Sequence, residues 1–332
     1  GDKLMARRVA SDAGLPVVPG GEAVDKAQAR RQAAETGYPL LIKAVAGGGG
    51  RGMQRVDREA ELDARIDLAV AEARAAFGDG RVYVERYIAS GRHVEVQVLG
   101  DGVRAIQLGS RDCSIQRRFQ KLVEEAPAPG IPEPQHEALL AAAVRLAEHL
   151  AYRGAGTVEF LVDAATFEFY FLEMNARIQV EHPVTEAVTG VDLIEQQLLI
   201  ADGQPLGLDQ AALVPQGHAI EVRINAEDWR ADFQPSPGRV SRAAWPAGGR
   251  IRVDTHIASG GLAPPFYDSL IGKLIVSGAS RPEAVARLAQ ALDRLEIEGV
   301  ATTTGLHRLI AADPRFVRGG VDTGFFEGLA DG

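Results

Sequence analysis

The stretch Glu173-Met174-Asn175-Ala176-Arg177-Ile178-Gln179-Val180-Glu181 decides how this chain is read. In extended chain, successive side chains point to opposite faces. One face then carries Glu173, Asn175, Arg177, Gln179 and Glu181, and the other Met174, Ala176, Ile178 and Val180. A half-exposed edge strand would also alternate. Surface strands, however, favour forgiving residues such as threonine and lysine, and a row of acids, amides and a guanidinium suits a lined site. The preceding residues read as a hairpin, with strand patterns at 156–163 and 167–175 around a turn at 164–168. If that hairpin is centred on Thr166, Glu159 faces Glu173. Like charges directly across a ladder repel. They become sensible with a divalent cation between them, and two carboxylates, the Asn175 amide oxygen and phosphate oxygens suit Mg²⁺ or Mn²⁺.

Upstream, the buried-type strand Leu40-Leu41-Ile42-Lys43-Ala44-Val45 feeds Ala46-Gly47-Gly48-Gly49-Gly50-Arg51-Gly52-Met53. Consecutive glycines let backbone amides turn inward as a nest for anionic oxygens, and Lys43 places a cation beside them. No Gly-Lys-Ser/Thr follows, so this is not a Walker A loop; a plain surface loop is the alternative. Only five lysines accompany 31 arginines. A retained lysine marks a place where a compact ammonium is needed, or reflects codon bias. Lys3, Lys43, Lys121, His93, Arg177 and Arg252 could together neutralise a triphosphate and a small anion. Taken alone, Arg117-Arg118-Phe119-Gln120-Lys121 reads as a solvated face.

The remaining chain alternates helix and strand. Helices are expected at 2–13, ended by Gly14, at 25–36, ended by Gly37, and at 58–76. With the strands at 40–45 and 81–88 they make a small α/β lobe. A second unit follows: strands at 93–99 and 104–108, a polar basic stretch at 110–121, a proline-rich turn at 126–134, a helix at 135–151 and the hairpin. Beyond it lie helices at 191–201 and 281–295 and strands at 218–226, 251–254 and 273–277. The 332 residues are 46% hydrophobic and 24% charged, which excludes disorder, collagen and coiled coil as the main state. The net charge of −9 argues against nucleic acid. No apolar run nears the ~20 residues of a membrane span. The single cysteine, Cys113, excludes an intrachain disulfide, suits a reducing cytosol and reads as structural.

Several motifs together resemble biotin carboxylase, the ATP-grasp component of biotin-dependent carboxylases such as acetyl-CoA and propionyl-CoA carboxylase. They are Lys43 with the glycine loop, Arg92-His93-Val94-Glu95-Val96-Gln97, Arg111-Asp112-Cys113-Ser114 with Gln116-Arg117-Arg118, and Glu173 to Glu181 running into His182-Pro183-Val184-Thr185-Glu186. The likeness continues through Ile224-Asn225-Ala226-Glu227-Asp228, Pro235-Ser236-Pro237-Gly238 and Pro264-Pro265-Phe266-Tyr267-Asp268-Ser269, covering essentially the whole chain. It implies an α/β (α+β) ATP-grasp fold: an entry helix at 1–14, a small glycine-loop lobe at 15–88, a larger mixed-sheet lobe at 89–205 and a biotin carboxylase C-terminal subdomain at 206–332. It implies ATP, Mg²⁺ or Mn²⁺, and bicarbonate activated to carboxyphosphate for transfer to biotin on a carrier protein.

The resemblance also implies roles. Lys3, Lys43, the amides of Gly49 and Gly50, and His93 would hold phosphates. Glu85, Arg86, Tyr87 and Ile88 match the interlobe segment at adenine, Leu161 would pack on the base and Gln116 would approach the ribose. Glu159, Glu173 and Asn175 match the metal ligands. Lys121, Arg177, Gln179 and Val180 match the bicarbonate pocket, Glu181 the general base, and Arg252 the arginine that stabilises biotin's enolate. Phe119 departs from a common histidine, Arg86 from a common lysine and Trp229 from a common proline.

The expected partners are a biotin carboxyl carrier protein or domain and a carboxyltransferase subunit, with a homodimer or larger assembly common in the family; no nucleic acid or membrane partner is expected, and the expected setting is cytoplasmic. The family carries an N-terminal α/β domain ahead of the part matched here, so the stretch reads as a piece of a longer chain, with exposed apolar surface and weak activity expected of the piece by itself. The alternatives are another ATP-grasp ligase of the carbamoyl-phosphate synthetase type and a catalytically idle nucleotide-binding module.

Overall fold

The Asp2 carboxylate accepts from the Met5 amide and so caps α1 (Lys3–Asp12), which Gly14 ends at φ +77°. Asp25 caps α2 (Lys26–Thr36) in the same way, through the Gln28 amide. The computed structural model describes residues 2–23, 25–46 and 52–330. Gly49 and Gly50, with the rest of 47–51, lie outside the described residues.

The small lobe is a four-stranded antiparallel sheet. Its strands are β1 (Gly20–Ala23), β2 (Leu40–Ala44), β3 (Met53–Val56) and β4 (Val82–Arg86), in the order β1-β4-β2-β3. Helices α2 and α3 (Leu62–Phe77) close it over Leu40, Ile42, Val56, Ile66 and Val84, all buried.

The second sheet has eight strands. β5 (Gly91–Asp101), β6 (Ala105–Arg117), β7 (Gln120–Ala126), β8 (Arg153–Asp163), β9 (Phe169–Asn175) and β10 (His218–Asn225) are joined by Leu270–Gly278 and Ile251–Thr255. Read across from the last of these, the order is Ile251–Thr255, Leu270–Gly278, β10, β7, β6, β5, β8, β9. Every ladder is antiparallel, where a mixed sheet was implied. Strands from both sides of residues 205 and 206 belong to this one sheet. α4 (Glu133–His149) packs on β5 and β6, and α6 (Leu193–Ala201) on β8. α7 (Arg281–Arg294) covers Leu270–Gly278 and packs against α8 (Thr304–Ala312).

Three differences from the sequence reading bear on the site. The polar stretch 110–121, to which the sequence reading gave no element, is a strand hairpin: β6 continues to Arg117, turns through Arg118 (φ 49°) and Phe119 (φ 66°), and returns as β7. Both central residues sit in the left-handed region that a two-residue hairpin requires. Second, the extended chain ends at Asn175. Residues 176–181 coil into α5 (His182–Thr189), which carries Pro183 in its first turn and ends at Gly190 in the left-handed conformation. Alternation therefore does not extend to Arg177, Gln179 and Glu181. Third, the hairpin carries a bulge. Thr157↔Asn175 and Glu159↔Glu173 pair as centred on Thr166, but Phe160 then faces Phe171. Among the described residues no helix is long and apolar enough to cross a membrane.

Candidate active site

A cleft of about 960 Å³ opens over one face of the large sheet. Glu159 and Glu173 reach it from β8 and β9. The Asn175 amide lies between them, its Nδ2 donating to Glu159 Oε1 at 3.0 Å and to Glu173 Oε1 at 3.3 Å. Two carboxylates converge on one small polar group, and rotating the amide would present its oxygen beside theirs. This hard-oxygen set fits Mg²⁺ or Mn²⁺.

The centre of the site is Lys121 on β7. Its ammonium bonds Glu95 Oε2 at 2.6 Å, Glu181 Oε1 at 2.6 Å and Glu159 Oε1 at 3.2 Å. The clustered side chains of His93, Glu95 and Glu159 have metal-like spacing, but this ammonium already occupies the space between the two carboxylates. Burial pushes the Glu95 carboxyl up, yet Lys121 and Arg111 outweigh it and hold it at about 2. Glu159 behaves alike, with His93 and Lys121 as the opposing cations. His93 Nε2 lies 2.9 Å from Glu159, an ion-pair contact off the line of a well-formed hydrogen bond. Burial lowers the His93 pKa, but the Glu159 charge wins and the net shift is upward. The Gln116 amide, 2.7 Å from His93 Nδ1 and bonded to the Cys113 carbonyl, orients the ring.

Glu181, 2% exposed, is held on both oxygens: Lys121 binds one and Arg223 of β10 the other, at 2.9 Å. Arg223 also donates to Glu124 at 2.6 Å. Gln179 bonds Glu159 at 2.7 Å and accepts from Arg111 at 3.1 Å. The Val180 carbonyl accepts from Lys273 at 2.7 Å. Arg177 stands exposed at the rim and donates to Asn175 Oδ1 at 3.3 Å.

Thus Lys121, His93, Glu159, Glu173, Asn175, Arg177, Gln179, Val180 and Glu181 line one cleft. Arg252 is not with them; its guanidinium is bound to Glu186 at 2.6 Å and to Asp254 at 2.8 and 2.9 Å. The arginine beside Glu181 is Arg223. Lys43 pairs with Glu85, which Arg7 of α1 also bonds at 3.3 Å, so Glu85 is already engaged by two cations. Lys3 is lowered by burial, with Glu173 pulling the other way, which sets its ammonium within electrostatic reach of the cleft. The Arg86 and Tyr87 amides are taken by the carbonyls of Pro19 and Pro39. Ile88 is half-buried next to them. Leu161, opposite His93 in the β5–β8 ladder, is half-buried and lies against Gly91, where a Cβ would strike it.

Sequence reasoning gave no site role to Glu95, Arg111, Glu124, Arg223 or Lys273. The signal was present in Glu221-Val222-Arg223-Ile224-Asn225, whose polar residues recur at period two with Val222 and Ile224 in the core.

A four-stranded lobe carrying a glycine loop, set against an antiparallel sheet that presents carboxylates and cations, defines the ATP-grasp class of ligases. Residues 2–209 match the family description "Carbamoyl-phosphate synthase L chain, ATP binding domain", and residues 221–328 match "Biotin carboxylase C-terminal domain". The biotin carboxylase of Pseudomonas aeruginosa is 50% identical over 331 residues, 98% of this chain and 73% of that protein. Biotin carboxylase 1 of Bacillus subtilis is 47% identical, over 98% and 73% of the two chains. The crystal structure of a Campylobacter jejuni biotin carboxylase–βγ-ATP complex superposes with a TM-score of 0.94 at 44% identity, covering 98% of this chain and 73% of that one. The biotin carboxylase domain dimer of Hydrogenobacter thermophilus 2-oxoglutarate carboxylase, in complex with MgADP, ADP and bicarbonate, superposes at 0.93 with 46% identity over 99% and 73%. The chain belongs to the biotin carboxylase family and is an ATP-dependent ligase.

Proposed function

We propose that this chain uses ATP and bicarbonate to carboxylate biotin on a carrier protein, the first half-reaction of a biotin-dependent carboxylase. The observation that carries this reading is Glu181, clasped by Lys121 and Arg223 in the same cleft as the Glu159–Asn175–Glu173 oxygen set. Relatives that bind MgADP and bicarbonate support it.

Glu159, Glu173 and Asn175 would hold the divalent cation, which when bound offsets phosphate charge during transfer. Lys3 from the entry helix and Lys43 from the small lobe face the phosphates, with Gly49 and Gly50 assigned by resemblance, and His93 from the sheet. Glu85 to Ile88 and Leu161 take the adenine and Gln116 sits toward the ribose. Because the Arg86 and Tyr87 amides are engaged, base recognition in this segment falls to carbonyl oxygens and to the Ile88 amide. Lys121, Arg177, Gln179 and the Val180 backbone surround bicarbonate. Glu181 accepts its proton so that the bicarbonate oxyanion can attack the γ-phosphorus, forming carboxyphosphate as the bond to ADP breaks and ADP leaves. Arg223 keeps its own proton throughout and opposes charge developing on the biotin ureido oxygen, the role that the sequence reading gave to Arg252. Closure of the small lobe excludes water from carboxyphosphate.

The same proposal divides the chain into an entry helix (1–14), lid (15–88), large lobe (89–205) and C-terminal subdomain (206–332). It includes a biotin carboxyl carrier, a carboxyltransferase and a second copy of the chain as partners, and a cytoplasmic setting in which buried Cys113 stays a thiol. The test is ATP hydrolysis by the purified protein with bicarbonate, with and without free biotin. Turnover that needs bicarbonate and rises with biotin is expected; ATP hydrolysis indifferent to both would sink the reading.

A further inference from the structure

Behind Arg223 lies a pair of acids that the reaction above does not use. The β7–β10 ladder sets Glu124 directly opposite Glu221, so their side chains share a face with Cβ atoms about 5 Å apart. Both residues are fully buried. One Glu124 oxygen accepts from Arg223 Nε at 2.6 Å, while its other oxygen and both Glu221 oxygens have no partner. Two bare carboxylates facing each other in a dry interior would be strongly unfavourable. A proton on Glu221 gives it an O–H to donate across the ladder and completes the free Glu124 acceptor.

We propose that Glu124 and Glu221 share one proton and act as a positioning pair for Arg223, and through it for Glu181; the inference rests on the reading of this cleft given above. The surroundings agree. From β10 the pair meets Arg223; from the neighbouring strand, Lys273; from β7, Lys121; from the start of α5, Glu181; and from β6, Cys113. α5 covers the same face with Val184 and Val188, packed on Ala219 and Ile275. Burial, and after it the Glu124 charge, drives the Glu221 carboxyl well above its usual range, and burial drives Glu124 to about 7 against the pull of Arg223. The pair thus holds Arg223 with one net negative charge while its proton stays, and with two once it leaves.

Infrared difference spectroscopy across a pH titration reads the proton directly and needs no turnover. A carboxylic-acid C=O band that persists at neutral pH and disappears in alkali is expected, absent in Glu221→Gln. No such band, or the same band in Glu221→Gln, would overturn the pair. Kinetics reads the positioning. Glu124→Gln should lower bicarbonate-dependent turnover about tenfold, the size of one lost charge-assisted hydrogen bond, while the KM for ATP changes less than about twofold. In Glu221→Gln the alkaline limb of the kcat profile should move up by about one pH unit, because the amide donates to Glu124 at every pH. If that variant does not fold, Glu221→Asp keeps an ionisable group and should show a retained but displaced band and limb. Limbs that superimpose on the parent in the variant that folds would overturn the inference. Failure of bicarbonate to stimulate the parent enzyme would instead strike the reading of the site, and the infrared band would still decide the pair.

Discussion

Glu181 owes its position to two cations from different strands, so replacing it should separate chemistry from binding. Glu181→Gln should cut bicarbonate-dependent ATP hydrolysis by about 10²–10⁴-fold, the usual contribution of a positioned base, with the KM for ATP little changed. Unaltered turnover would remove Glu181 as the proton acceptor. The two arginines give a sharper contrast. Arg223→Ala strips a partner from both Glu181 and Glu124, and biotin carboxylation should fall by more than about 100-fold. Arg252→Ala touches only Glu186 and Asp254 and should cost far less in the same assay. Losses of similar size would return the enolate role to Arg252. Lys121 shows why single residues mislead in one dimension: next to two arginines and an exposed phenylalanine it looks like surface, yet it joins three carboxylates.

At the scale of elements, β6 and β7 are built against the usual pattern. Their inward face carries Arg111, Lys121 and Glu124, so neither strand shows the apolar alternation that marks a half-buried strand. What holds them is charge pairing in place of packing. Arg111 is fully buried and binds Glu95 at 2.6 Å, Gln97 at 2.8 Å, Thr185 at 2.9 Å, and Thr157 and Gln179 at 3.1 Å. It thereby joins β5, β6, β8 and α5 to the coil that carries Gln179. Arg111→Met would leave Glu95 buried with Lys121 as its one strong cation. A loss of about 3–5 kcal/mol is expected, read as a lower urea midpoint. A change below about 1 kcal/mol would show that the network orients Gln179 without stabilising the fold. The β8–β9 hairpin, by contrast, was readable from its own residues, because a short turn sets the register locally; only its bulge after Glu159 was not.

At the scale of the molecule, the buried carboxylates set the acid limit of stability. Glu95 and Glu159 are each held at about 2 by their cations against the opposing effect of burial. A lowered folded-state pKa means that the unfolded chain binds more protons in acid. The stabilisation is therefore complete above about 4.5 and is lost as pH falls from there through about 2. Urea midpoints should stay level from neutrality to about pH 5 and drop steeply below it; a flat profile down to pH 3 would deny these pairs their part. The two lobes should also be joined by ligand. Lys3, on the helix that packs on β9, already senses both Glu173 of the large sheet and Lys43 of the small lobe, so ATP with Mg²⁺ should raise the melting temperature more than either alone. At about 100 Kd the stabilisation is about 2.7 kcal/mol. Glu173→Gln should remove most of the Mg²⁺-dependent part.

The helices that start at Asp2 and Asp25, the small α/β lobe, and the facing of Glu159 and Glu173 all followed from the sequence alone, because each rests on residues a few positions apart or on one tight turn. Which arginine meets Glu181, what surrounds Lys121, and the opposition of Glu124 to Glu221 came only with the tertiary structure. Those pairings link residues roughly 25 to 100 positions apart, and strand order, which no local pattern encodes, chooses among many chemically equivalent partners. Arg223 and Arg252 look alike in one dimension; one lies beside the general base and the other does not because β10 sits next to β7 while Ile251–Thr255 closes the far edge of the sheet.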